Sequence, residues 1–232
     1  RLALLDNRSH RQLNVVEQAR GISKLVPHVP PRDRVRLLSS WLGFPENRRV
    51  FEKLVALSGL PEPIQGGVVE ETISLEGAVL LARLSPEDAS SCFHMLKPLK
   101  LSQNKQTEII TWIQEIAIRE NIQLEELVRS EDVKTILENP DLNRNERSST
   151  LRAYLRKRRF PKLAEAEEKF SREARSLKLD EHVHLTPPPH FEGGSYSLRM
   201  TFRTLEDFNK RINALTDMAK NPALKRLLKP FD

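Results

Sequence analysis

From Asn14 to Asn121, apolar residues return every three or four positions, and each such stretch ends in a helix stop before the next begins. Asn14, with Glu17 three positions later, has the form of a capping box and opens VVEQARGISKLV. Prolines 30 and 31 and Asp33 lead into RVRLLSSWLG, where Leu37, Leu38, Trp41 and Leu42 fall at helical spacing. ENRRVFEKLVALSG repeats the pattern with Val50, Phe51, Leu54, Val55 and Leu57, and stops at Gly59. PEPIQGGVVEE reads as a short helical element or turn. Ser74 and Ser85 cap LEGAVLLARL and EDASSCFHML; Ser102 caps the longest stretch, with Ile109, Ile110, Ile113 and Ile116 on one face. This succession predicts a compact all-helical domain over roughly residues 1–120.

Helical patterning continues to about residue 175, with a loop near NPDLNRNERS, and then changes at 181. HVHLTPPPHFEGGSYSLRMTFRT alternates polar and apolar positions (Tyr196, Leu198, Met200, Phe202) and contains Gly193-Gly194, which predicts two strands and a Pro- or Gly-rich turn. LEDFNKRINALTDMAKNPALKRLL closes the chain as one or two helices. The expected architecture is mainly α. A helix-turn-helix multi-helix domain spans 1–122, a helical basic connector 123–180, and a small ββα-like module 181–232.

Composition narrows the function classes. At 38% hydrophobic the 232 residues can bury a sizeable core, and only 8 glycines suit helices better than a barrel. A net charge of +6 is compatible with a polyanionic partner. Cys92, the sole cysteine, excludes an intrachain disulfide and any multi-cysteine metal site, and fits a reducing compartment. No apolar run approaches the roughly 18–20 residues that would span a bilayer, and no signal peptide is visible, so a cytoplasmic protein without a membrane partner is expected. The first residue is Arg1, which suggests a piece of a longer protein.

The corner LSSWLGFPENRRVFEKL (38–54) carries the most specific chemistry. A helix-turn-helix needs a buried first helix, a tight corner and a second helix whose first residues reach base edges. Trp41, Leu42, Val50 and Leu54 supply packing, and Gly43 the turn. Glu46, Asn47, Arg48 and Arg49 open the second helix, with Lys53 one turn on. Arginine pairs bidentately with guanine and asparagine with adenine. The alternative is two packed helices with a solvated basic face. Arg32, Arg34 and Arg36 alternate and cannot all share one helical face, so one or two are candidates for phosphate contact. Lys97, Lys100 and Lys105 are candidates to extend that track.

A second basic run, Arg156, Lys157, Arg158 and Arg159, lies in a segment (151–175) with nine Lys/Arg against four Glu. It is either a second contact to DNA or another anion, or a solvent face paired with Glu165, Glu167 and Glu168. His182 and His184, with His190 and Glu192, form a weak zinc candidate against the ordinary reading of a polar strand face. No metal is expected. There is no G-x-S-x-G, Walker A loop or H-E-x-x-H, and Cys92 sits in an apolar helix, so no catalytic residue is assigned.

Taken together, ALLDNRSHRQLNVVEQA (3–19), the helix pair of 33–58 with LPEPIQ behind it, VVEETISLEGAVLLARLSPEDA (68–89) and LSQNKQTEII (101–110) resemble the DNA-binding region of ParB/KorB-type partition proteins. The similarity is spread over about residues 1–120. Asp6 stands where the family usually has Glu, His10 where its motif has arginine, and Val15 where proline is usual. The resemblance implies DNA binding through 33–58 in chromosome or plasmid segregation, a homodimer, nucleoid association and a ParA-type ATPase partner. It implies further that CTP binds a domain preceding Arg1, with Asn7, His10 and Arg11 as the remnant of that motif and no cofactor in the chain itself. The alternatives are a ParB-like transcriptional regulator, or a CTP-dependent switch or nuclease whose active domain lies upstream. The 181–232 module, with a strand edge and a closing helix, is the expected dimerisation element.

Overall fold

The structure is a computed structural model that describes residues 12–228. It is mainly helical with one two-stranded antiparallel sheet, and it divides into two compact units, residues 1–159 and 160–232.

The first unit begins with α1 (Val15–Leu25). Its predicted capping box is present: Asn14 Oδ1 accepts from the Val16 and Glu17 N–H groups at 3.0 and 2.9 Å, and Glu17 Oε2 accepts from the Asn14 N–H at 2.9 Å. These bonds satisfy donors that a helix start leaves unpaired. Helices α2 (Arg34–Leu42) and α3 (Arg48–Ser58) follow, and both pack on α1. Gly21 brings α1 close to α2, because a Cβ there would stand 2.7 Å from Leu42 Cδ2.

Then come α4 (Glu62–Val69), α5 (Leu75–Leu81), α6 (Pro86–Leu96) and α7 (Gln103–Glu120). Two buried glutamines tie loops to helices. Gln106 donates to Leu101 O at 2.8 Å and accepts from the Ser74 N–H and hydroxyl, both at 2.8 Å. Gln65 donates to Leu60 O at 2.8 Å and accepts from Arg20 Nε at 2.8 Å. Both leave no wasted polar atom in the core, as burial of an amide requires.

Helices α8 (Leu124–Val128), α9 (Glu131–Glu138) and α10 (Arg144–Arg159) complete this unit. Here the expected boundary at 122 gives way. Leu124, Leu127, Val133, Leu151 and Leu155 are buried in the same core as Leu38, Leu54 and Ile110. Apolar burial is shared across residue 122, so the first unit runs on to Arg159.

The second unit has its own small core, in which Leu177, Ala223 and Leu227 are buried among Phe170, Leu185 and Met218. It contains α11 (Pro161–Ser176), β1 (Val183–Thr186), β2 (Ser197–Met200), α12 (Leu205–Lys220) and α13 (Pro222–Leu227). The strands pair as expected, with Val183 opposite Met200 and Leu185 opposite Leu198. The expected connector of 123–180 is therefore split, and its second half belongs here because Phe170 and Leu177 supply core to this unit. Phe170 also meets the rings of Phe191 and Tyr196 at 5.9 and 6.3 Å, and the Tyr196 hydroxyl donates to Leu227 O at 2.8 Å. No helix among the described residues is long and apolar enough to cross a membrane.

Candidate nucleic-acid interface

The corner at 43–47 is built by three local devices. Gly43 has φ +79°, a left-handed conformation that glycine adopts at little cost, and its N–H donates to Ser39 O at 2.8 Å. Phe44 turns inward, is buried, and stacks on Phe51 with ring centroids 6.4 Å apart. Asn47 then caps α3, its Oδ1 accepting from the Arg49 and Val50 N–H groups at 2.8 and 3.3 Å. That oxygen is committed to the helix start, so Asn47 is first of all a cap, a role that spacing alone did not assign.

Helix α3 buries Leu54 and Leu57 and half-buries Val50 and Phe51. The opposite side carries Arg48, Glu52 and Val55, with Arg49 beside them. No acidic residue lies in the first turn. Two arginines at a helix N-terminus sit where the helix dipole disfavours cations, typically by about 0.3–1 kcal/mol each. The Arg48 side chain is 85% exposed, with Nε 2.8 Å from Glu52 Oε1. Arg49 is exposed and has no side-chain partner among the described residues.

The other sequence-nominated cations are distributed differently. Lys53 is ion-paired with Glu76 of α5. Arg34 Nε donates to Val29 O at 3.2 Å, holding the approach to α2, while Arg36 pairs with Asp33 at 2.9 Å and stays largely exposed. Lys97 lies 3.6 Å from Glu70; Lys105 is exposed in the first turn of α7. Glu52 and Glu76 escaped the sequence reading, and Val55, read there with the apolar face, is exposed as Glu52 is. Glu52 and Val55 were visible as one stripe on a helical wheel; Glu76 is 23 positions from its partner, and no local signal marks it.

The second basic run is half clamp. Arg158 donates from Nε and Nη2 to Glu120 Oε2 at 3.0 and 2.7 Å, and from Nη1 to the Tyr154 hydroxyl at 2.8 Å. Arg159 pairs with Glu115, and Arg119 Nη1 donates to Arg159 O at 2.6 Å. Glu120 and Glu115, the acids in these pairs, both come from α7. The Arg158 hydrogen bond holds the Glu120 carboxyl below the usual carboxylate range, against the opposing effect of partial burial. Arg156 and Lys157 are exposed.

His184 lies in β1, whereas His182 precedes the strand and lies 3.5 Å from Glu181. Among the described residues, no three His, Cys, Asp or Glu side chains converge as a metal would require. Burial, followed by the charge of Asp88, pushes the Cys92 thiol up to about 12, so it stays protonated and inert at neutral pH. Asn7, His10 and Arg11 lie outside the described residues. Compared with protein-family models, characterised proteins and solved structures, the chain matches none.

Proposed function

We propose that this chain binds double-stranded DNA through the exposed N-terminal half of α3, as a component of ParB/KorB-type chromosome or plasmid partition. The observation that carries the reading is the pair Arg48 and Arg49 in a first turn free of acids. The positive dipole end of a helix disfavours cations, and the negative charge of DNA compensates two that are otherwise misplaced there. Local rules are broken most often at functional sites. Packing supports the same reading, since α1 and α5 hold α3 from behind and leave its polar face outward.

Binding would be the whole chemistry of this chain. Basic side chains neutralise phosphates and set register, while base edges are read in the groove. Self-association belongs to the second unit. In α12, Leu205, Phe208, Ile212, Leu215 and Ala219 recur at alternating steps of three and four, the spacing of a helix–helix seam. Leu205 is 75% exposed and Ile212 40%, while the one buried residue of this helix is Arg211. A second copy would cover that stripe, and paired copies would place two α3 helices on paired half-sites. Nucleoid association, a ParA-type partner and a CTP-binding domain belong to the same proposal and rest on the resemblance alone.

Selection of duplexes from a randomised library by the full chain tests the reading. Enrichment of one sequence family, lost in the Arg48→Ala/Arg49→Ala double variant, is expected. A folded protein that enriches nothing overturns it.

A further inference from the structure

The two arginines that open α3 are not equivalent. At 3.6 residues per turn, Glu52 lies about 40° to one side of Arg48 and Val55 about 20° to the other, so the three share an arc of about 60°. That arc lies opposite the buried Leu54 and Leu57. Arg49 is about 100° round the helix, on the side of Lys53.

Within the stripe, Glu52 takes the Nε of Arg48 and thereby leaves the two terminal nitrogens as the outward edge of the guanidinium. Stability does not explain the pair. Both side chains are largely exposed, at 85% and 58%, and exposed pairs contribute little. The order is also the weaker one, with the cation N-terminal to the anion. A carboxylate aimed at a phosphate strand would repel it. On a face that meets base edges it fixes the fork of the arginine and rejects a wrong approach. Two turns from the helix start, Val55 is 42% exposed, an apolar side chain on an otherwise polar stripe. The apolar feature of the major groove is the thymine methyl.

We propose that Arg48, oriented by Glu52, reads a guanine, that Val55 reads the methyl of a thymine, and that Arg49 contacts phosphate. This rests on the DNA-binding reading above and assigns its specificity. The rise from Arg48 to Val55 is about 10 Å, so the two bases should lie within about three base pairs of each other.

The test uses the full chain and the duplex it enriches from a randomised library, alongside a random duplex. Replacing the guanine by 7-deazaguanine should weaken the wild type by about tenfold or more and the Arg48→Ala variant hardly at all. Glu52→Ala should lose affinity for the enriched duplex while gaining on the random one, a split that a merely structural residue would not give. Thymine-to-uracil replacement should weaken the wild type several-fold and leave Val55→Ala indifferent. Arg49→Ala should weaken both duplexes alike. Equal behaviour of the Arg48 and Arg49 variants, or equal uracil sensitivity of wild type and Val55→Ala, overturns the assignment while leaving DNA binding intact. A library that yields no enriched duplex removes the binding reading and this assignment together.

Discussion

Lys53 of α3 is ion-paired with Glu76 of α5, so the cation at the middle of α3 is engaged by the protein's own scaffold. A lysine engaged in this way releases no counterion when DNA binds. Lys53→Gln is therefore expected to leave the salt dependence of binding unchanged, whereas Arg49→Ala should lower the slope by about one. Titrations of a random duplex across salt check both. A Lys53→Gln slope that falls as far as that of Arg49→Ala would place the lysine on phosphate instead.

The corner itself depends on Gly21. A methyl there would press on Leu42, which is buried and has little room to yield. Overpacking of this kind costs about 1–3 kcal/mol, and the helix preference of alanine over glycine returns up to about 1 kcal/mol. Gly21→Ala should thus be destabilised by about 1 kcal/mol in denaturant melts, with DNA binding weakened in proportion to any loss of folded protein. A more stable Gly21→Ala variant would mean that α1 and α2 are less tightly apposed.

The clamp between α7 and α10 should show in acid. The Glu120 carboxyl is held low by Arg158, so its contribution is present above the ordinary carboxylate pKa and is lost as pH falls through the lower, folded value. Denaturant melts of wild type and Glu120→Gln, run from neutral pH to below about pH 4, should converge at the acid end. Parallel curves across that range would show that the pair contributes nothing pH-dependent.

For the second unit, Ile212→Asp in the full chain is expected to abolish self-association and leave helix content unchanged. Light scattering and circular dichroism report these separately. A variant with unchanged mass in solution would take α12 out of the contact.

Much of this was legible in the sequence for a local reason. The capping box at Asn14 and Glu17, the turn at Gly43 and the strand alternation from Leu185 to Leu198 each depend on residues a few positions apart. What stayed hidden depends on distance along the chain. Helical spacing marks Leu124 and Leu151 as apolar-face residues, but it does not say that they join the core of Leu54 rather than begin another. The partners of Arg158 and Arg159 lie 38 and 44 positions away, so spacing alone left an anion-binding run and an internally paired one open. At the candidate site, helical spacing alone sets Arg48 and Arg49 about 100° apart, and the fold adds the contact between Arg48 and the Glu52 carboxylate.

The central claim is that α3 meets DNA with its first turn. The most direct measurement is the affinity of the full chain for a random duplex at several salt concentrations, for wild type and for the Arg48→Ala/Arg49→Ala variant with its fold checked by circular dichroism. The logarithm of the wild-type binding constant should fall linearly with the logarithm of salt, and the double variant should bind more weakly with a shallower slope. A folded double variant with wild-type affinity and slope would contradict it.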